Sequence, residues 1–408
     1  MRRLHPSMYT DGSFEDSVRG RSMRTSIASR RAAHRPFTLF HLAVLAGALS
    51  LLLPGAAAAE DVVIGWAGPE QQPHARALKQ GVELAIAEAN ERGLTVQGRR
   101  LSFKLLAYND SGNPNVAPFA ARSLVAGKAV AVIGHYTTET TIAGAQVYAE
   151  TGVPELAVFA PSPRLTQLGY KNVFQLIGNI ADATAYMATA VAQMDGGKRV
   201  AVAYNGSIMG ATVADAVDRE MQKHGTALAG RVSISARTSD FNAVLKMLDG
   251  GKADILYFAG IQEQALALSQ RLRGANLTVQ LMLSGGAFNP HFYANAGGYG
   301  EGTLLMAHNR PESQQPGFPR FEKAYVARFH APVMPYVANA YDATGMVIEA
   351  IRRGGSVEPA TISATLHAMS YDGVTGRIAF DADGRLENPS YTLYEVSQKK
   401  WKVVRSFP

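Results

Sequence analysis

The stretch AVAVIGHYTTETTIAGAQVYAETG, residues 129–152, decides the fold. Ala129–Gly134 is a short uninterrupted apolar run, the length of a buried strand. It leads without a linker into a segment that reads as a helix from about Thr138 to Glu150. A buried strand feeding a helix is half of a βαβ unit, and the alternation continues in both directions. Towards the N-terminus, Val62–Ala67 (VVIGWA) and Leu101–Tyr108 read as strands. Arg76–Arg92 places Leu78, Val82, Ala85, Ile86 and Ala89 on one helical face. Asn113–Ala126 follows as a helix, with Pro114 suited to its first turn, where a missing N–H costs nothing.

Towards the C-terminus, Phe174–Ile177, Arg199–Tyr204, Ala253–Phe258 and Val279–Leu283 repeat the strand theme, with helices near 181–194, 210–224, 240–249 and 261–273. Such spacing calls for parallel sheets with right-handed crossovers and helices on both faces. The rhythm pauses near 161–180 and at Gly297–Gly302, and Pro311–Pro319 reads as an open loop. Helices at 318–330, 336–353 and Thr361–Met369 follow. Strand-like Arg377–Phe380 and Tyr391–Glu395 close the chain, with Asp381-Ala-Asp-Gly between them as a turn. The series is too long for one compact sheet, so the expectation is an α/β chain of two lobes.

Composition agrees. The 408 residues suit two or three domains, and an apolar fraction of 47% excludes a largely disordered chain. Zero cysteines exclude disulfides, thiolate metal sites, a cysteine nucleophile and a lipidated N-terminal Cys. The formal charge of +7 suggests nucleic acid until it is located. Eight of the 40 basic and three of the 33 acidic residues fall in 1–59, so 32 and 30 remain in 60–408, a net of +2. Those arginines precede Phe37–Leu53, an apolar run of 17 residues, then Pro54-Gly55 and Ala56–Ala59. This is the pattern of a secretory signal peptide cleaved near Ala59, with Met23 a natural alternative start. About 17–25 apolar residues can also anchor a chain, but the Pro-Gly break and the alanines favour cleavage. Arg30-Arg31 is a twin arginine without the apolar residues expected after it.

Enzyme signatures are missing: no GxxxxGK[ST], HExxH or GxSxG occurs, and the histidines are scattered. The glycines of GGYGEG (297–302) precede a strand-like TLLMA, the wrong context for a nucleotide loop. Asp381-x-Asp383-Gly384 lacks the other ligands of a calcium loop. No enzyme activity, cofactor, metal or nucleic-acid partner is expected. The best chemical candidate is Gly134–Thr141 (GHYTTETT), whose N–H groups and hydroxyls open a helix at the C-terminal edge of a sheet, a place suited to a carboxylate or phosphate. N-capping by Thr137 or Thr138 accounts for it equally well.

The mature chain resembles the periplasmic leucine/isoleucine/valine-binding family, the type I solute-binding proteins of ABC transporters, over nearly all of 62–396. The resemblance rests on IGWAGP (64–69), QGVELAIAEANERG (80–93), YNDSGNP (108–114), VIGHYTTETT (132–141), LTQLGYKNVFQLIG (165–178) and KRVAVAYN (198–205). DFNAVLKMLDGGKADILYFAG (240–260), AYDATGMVIEAI (340–351) and GRIAFDADGRL (376–386) complete it, in the family's order and spacing. It implies two discontinuous lobes, each a mostly parallel sheet flanked by helices, joined by a three-strand hinge. One would hold 60–178 and 309–382, the other 181–306 and 387–408. It further implies a monomer in the periplasm that closes on a small-molecule solute and delivers it to an inner-membrane permease and its ATPase subunits. A ligand sensor of the same fold, feeding a signalling partner, is the alternative.

Carried over residue by residue, the family's carboxylate site falls on Thr137, Thr138 and Phe159-Ala160-Pro161. Pro161 stands where a Thr normally supplies hydroxyl and N–H, and proline has no N–H to give. The acidic residue that receives a ligand ammonium falls near Gly285, in LSGGAF (283–288), where no carboxylate stands. Glu263 or Asp182 could take that role, or simply face solvent. Aromatic wall positions fall at Met209 and Ile261. The first loop, AGPEQQPHARALKQG, is shorter than the family's and places His74 and Arg76 near the cleft. Phe159, Met209, Ile261 and Phe288 would make the cleft unusually apolar unless they are plain core. A buried ammonium without a partner costs several kcal/mol, so the expected solute is a small organic molecule, amino-acid-like or an apolar organic acid, and an ordinary amino acid is disfavoured.

Overall fold

A computed structural model of the chain describes residues 59–194, 198–235, 240–289, 291–298 and 300–408. The expected leader, including Phe37–Leu53, lies outside the described residues apart from Ala59. Among the described residues no helix is long and apolar enough to cross a membrane.

The first half of the chain builds β1 (Glu60–Ala67), α1 (Pro73–Arg92), β2 (Leu94–Val96), β3 (Arg99–Tyr108), α2 (Ala117–Ala126), β4 (Ala129–Gly134), α3 (Thr138–Thr151), β5 (Glu155–Ala157), α4 (Pro163–Gln167) and β6 (Val173–Gln175). These strands form one sheet in the order β2-β3-β1-β4-β5-β6, parallel except for the β2–β3 hairpin. The stripe Leu78, Val82, Ala85, Ile86 and Ala89 of α1 is buried, as its 3.6-residue period requires.

The second sheet takes β7 (Val200–Asn205), β8 (Gly230–Ile234), β9 (Ile255–Ala259), β10 (Gln280–Ser284) and β11 (Leu304–His308), all parallel. Between them run α5 (Ile180–Ala192, before β7), α6 (Ile208–Lys223), α7 (Asn242–Leu248), α8 (Gln262–Gly274) and α9 (Phe292–Asn295). The chain then returns to the first sheet as α10 (Phe318–Phe329), α11 (Val337–Gly354) and α12 (Pro359–Ala368), whose apolar faces join that sheet's core. A two-stranded ribbon, β12 (Tyr371–Asp372) with β13 (Arg377–Ile378), follows. Last, β14 (Tyr391–Ser397) and β15 (Lys400–Phe407) add antiparallel strands to the second sheet, in the order β15-β14-β11-β10-β9-β7-β8.

The chain thus passes between the sheets three times, after β6, after β11 and before β14, and side chains tie the passages together. The Tyr391 hydroxyl donates to the Asn179 carbonyl at 3.1 Å and the Thr392 hydroxyl to that of Asn309 at 2.9 Å. The Asn309 amide donates to Asn339 on α11 at 2.8 Å.

Several elements depart from the sequence-based expectation. Pro114 sits in a turn, and the helix starts at Ala117 with Pro118 in its first turn. Residues 377–378 pair with 371–372, and Phe380 bridges to Leu386, whereas 391–397 belongs to the second sheet. The edge strands β2 and β15 and the inner strand β5 are absent from the sequence reading because β2 and β5 are three residues each and β15 is almost wholly exposed, so none has a usable apolar run.

Beyond β2, the backbone edge of Phe103 would lack partners. Asn90 on α1 supplies both, accepting from the Phe103 N–H at 2.8 Å and donating to its carbonyl at 2.9 Å. Asn90→Ala is expected to cost about 2 kcal/mol in denaturant melts, because two backbone groups lose their hydrogen bonds at once. A change below about 0.5 kcal/mol would show that water replaces the amide without loss.

Candidate functional site

Leaving aside β2, the first sheet reads β3-β1-β4-β5-β6 and the second β8-β7-β9-β10-β11. Both are doubly wound, with the order reversing beside β1 and β7, and ligands bind outside the carboxyl ends of strands at such switch points. In the first sheet that point lies between the loops after β1 and β4, hence at Gly68 and His135–Thr138. In the second it lies between the loops after β7 and β9, hence at Gly206–Met209 and Gly260–Ile261. The two edges face each other: the Met209 N–H donates to Glu139 of α3 at 3.4 Å. The charge of Glu263, in the first turn of α8, also helps raise the pKa of Tyr136.

At the first switch point the helix start divides its work. Thr137 is the N-cap: its hydroxyl accepts from the Thr140 N–H at 3.2 Å, and the Thr140 hydroxyl reciprocates. Thr138 is 3% exposed, and its hydroxyl bonds to no described residue. With Thr140 capped, the N–H groups of Thr138 and Glu139 are the open donors of this turn.

Around them stands an aromatic cluster. Phe159 stacks on Tyr136 with centroids 5.2 Å apart and packs against His74 and Tyr336 at 4.8 and 5.2 Å. The His74 Nε2 lies 2.7 Å from the Pro335 carbonyl, which can only accept, so Nε2 carries the proton. Burial lowers the His74 pKa, leaving Nδ1 bare to accept from the Tyr136 hydroxyl at 3.0 Å. Burial raises the phenols of Tyr136 and Tyr336. Every member of the cluster is therefore neutral near pH 7.

The other expected residues divide between the second switch point and the surrounding core. Ala160 is buried and its carbonyl accepts from Gln175 at 2.6 Å, while the Pro161 carbonyl accepts from the Ile180 N–H at 2.8 Å. Met209 opens α6 and leans on the second sheet's core, and Ile261 precedes α8 at 48% exposure. Phe288 stacks on Tyr394 at 5.4 Å, in the second sheet's other apolar cluster, and does not touch Phe159. Asp182 is held by Asn179 beside Tyr391, near a passage between the sheets. Arg76 is exposed and reaches the Glu70 carbonyl.

Gly285 is buried. A Cβ there would lie 3.1 Å from the Met306 carbonyl and 3.2 Å from both the Tyr336 hydroxyl oxygen and His308 Cδ2. His308, at the end of β11, is 5% exposed, and neither ring nitrogen makes a hydrogen bond. Burial pulls its pKa down to about 4, offset slightly by the Gly178 backbone, which approaches without hydrogen-bonding geometry.

Tyr336 and His308 are absent from the sequence-based candidates. Tyr336 just precedes a helix, in left-handed backbone at φ 64°, and nothing in its local pattern marks it. Behind the switch point, His135 bonds Asp110 at 2.7 Å and Tyr148 at 3.1 Å, all fully buried, so that triad positions the loop rather than meeting a ligand. Among the described residues no His, Asp or Glu cluster could hold a metal ion.

Comparison with known proteins agrees with this architecture. A family model described as periplasmic binding protein matches residues 62–400. The leucine-, isoleucine-, valine-, threonine- and alanine-binding protein of Pseudomonas aeruginosa is 28% identical, covering 90% of this chain and 97% of its own length. The Leu/Ile/Val-binding protein of Escherichia coli K12 is 26% identical over 86% and 95%. Among solved structures, a leucine-binding protein from Thermotoga maritima superposes with a TM-score of 0.76 at 21% identity, covering 85% of this chain and 98% of its own. A solute-binding protein from R. palustris in complex with benzoate gives 0.76 at 19%, covering 85% and 96%.

Proposed function

Because the chain belongs to the periplasmic binding protein family, we propose that it is the solute-binding component of an ABC-type uptake system and holds a small, substantially apolar organic acid between the facing sheet edges. One observation carries the choice of ligand: the wall around Phe159 is aromatic and uncharged, yet ends at an unused Thr138 hydroxyl on an open helix start. A carboxylate there accepts from that hydroxyl and from the Thr138 and Glu139 N–H groups, aided by the helix dipole. The apolar remainder of the solute lies against Phe159, Tyr136 and Tyr336, where its desolvation is favourable. The benzoate complex of a structural neighbour supports this ligand class.

Residues 60–178 with 309–382 and 181–306 with 387–408 then act as the two lobes, bending at the three passages to close on the solute. Residues 1–59 direct export and are removed near Ala59. The partners are an inner-membrane permease and its ATPase subunits, met as a monomer.

A second reading, an amino acid, has its own support. Glu263 sets a charge towards Tyr136, and the curated relatives bind amino acids by name. In that case Glu263→Gln would abolish binding of leucine.

Thr138→Ala is expected to weaken benzoate binding at least about tenfold in calorimetry, the loss of a charge-assisted hydrogen bond. Unchanged affinity would remove the carboxylate from this helix start.

A further inference from the structure

We propose that Glu139 and Glu263 limit the charge of the solute: their carboxylates hold both helix starts at the second switch point, so the cleft takes one carboxylate and rejects a solute with two. This rests on the organic-acid site described above and adds a restriction on its ligands.

Helices that begin at the carboxyl edge of a sheet turn the positive ends of their dipoles towards the cleft, where each start suits an anion. At the first switch point α3 leaves that place to the solute. Thr137 is committed to the Thr140 N–H, whereas Thr138 is only 3% exposed and its hydroxyl bonds to no described residue.

At the second switch point both starts are already supplied. On α6 the Ser207 hydroxyl accepts from the Gly210 N–H at 3.0 Å, which leaves the N–H groups of Ile208 and Met209 uncapped. The Glu139 side chain leads across from α3 and accepts from the Met209 N–H at 3.4 Å. On α8 the N-cap residue is Ile261, which has no acceptor to offer, and Glu263 in the first turn supplies the negative charge. That charge reaches the aromatic wall, since it helps raise the Tyr136 phenol. Among the described residues neither Glu139 nor Glu263 forms an ion pair, so no cation cancels them.

The magnitudes decide what a second anion meets. A helix start carries about half a positive charge and a carboxylate a full negative one, so each supplied start is negative on balance. A solute carboxylate bound at Thr138 has the α3 N–H groups to itself. A second carboxylate on the same solute lies towards α6 or α8 and is repelled there, a restriction built from repulsion rather than from a new attraction.

The test is calorimetry on the full chain with benzoate and the three benzenedicarboxylates, which add one carboxylate in three directions. Wild type is compared with Glu139→Gln, Glu263→Gln and the double variant. Glutamine keeps the side-chain size and the backbone N–H of residue 139, and thermal melts check folding. Wild type is expected to bind benzoate at least about tenfold more tightly than any dicarboxylate. For at least one isomer that preference should shrink about tenfold or more in the double variant, and by less in a single variant. Taking the ratio cancels any effect of the substitutions on closure or on the shared carboxylate. If a dicarboxylate matches benzoate on wild type, or if the preference is the same in wild type and every variant, the charge limit is overturned and the organic-acid site stands. If benzoate does not bind wild type, both are overturned.

Discussion

Gly285→Glu is expected to weaken binding of an organic acid at least about a hundredfold without creating a leucine site, which corresponds to about 2.7 kcal/mol of binding free energy. The resemblance implies an acid near this position, so the substitution looks like a restoration. In this chain the space is already filled by Met306, His308 and Tyr336. A Cβ alone would press on the Met306 carbonyl at 3.1 Å, and the carboxylate beyond it would have to displace Tyr336 or His308. Tyr336 cannot yield freely, because it packs on Phe159 and starts α11. A charged group forced into this neutral pocket also costs desolvation that no cation repays. Calorimetry on the variant checks this: micromolar leucine binding would show that Tyr336 swings aside and that the family's ammonium site is intact beneath it.

Acidification should weaken the fold through His308. Its folded pKa of about 4 lies below the ordinary 6.5, so the folded chain resists a proton that the unfolded chain accepts. The stability this histidine contributes is full above pH 6.5 and is lost as the pH falls towards 4, amounting to about 3 kcal/mol across that window. Its packed neighbours are the rings of Tyr336 and Tyr391 and the Gly178 backbone, with Asp182 one contact further on, against Tyr391. Asp342 acts in the opposite sense: burial raises its pKa to about 6, so its contribution falls as the pH rises from about 4 to 6. Denaturant melts of wild type and His308→Phe between pH 4 and 7 separate the two. The wild type should lose about 3 kcal/mol more than the variant; parallel curves would mean that His308 is solvated in the folded state.

Most of the architecture was legible in the sequence because its carriers are regular. A run such as Ala129–Gly134 has the length of a buried strand and feeds directly into a helix, and α1 writes its buried stripe at helical spacing. Short or exposed elements, β2, β5 and β15, leave no such trace. The helix start at Thr137–Thr138 was also legible, and the structure gives the capping to Thr137 and leaves the Thr138 hydroxyl unbonded. His74 and Gly285 were also legible as candidates, whereas Tyr336 and His308 were not: they come from separate elements and join the site only through the chain's return after β11. Phe288 went astray because an aromatic residue after a strand suits a cleft wall or a core equally well, and here Tyr394 and Trp401 claim it.

On the proposed function the cleft holds an organic acid at Thr138 and has no place for an ammonium at Gly285. The most direct measurement is calorimetry of wild type against leucine and against the benzoate series under identical conditions. An acid lacking an amino group should bind at least about tenfold more tightly than leucine. Tighter binding of leucine, lost on Glu263→Gln, would overturn the organic-acid site and make Glu263 the ammonium partner.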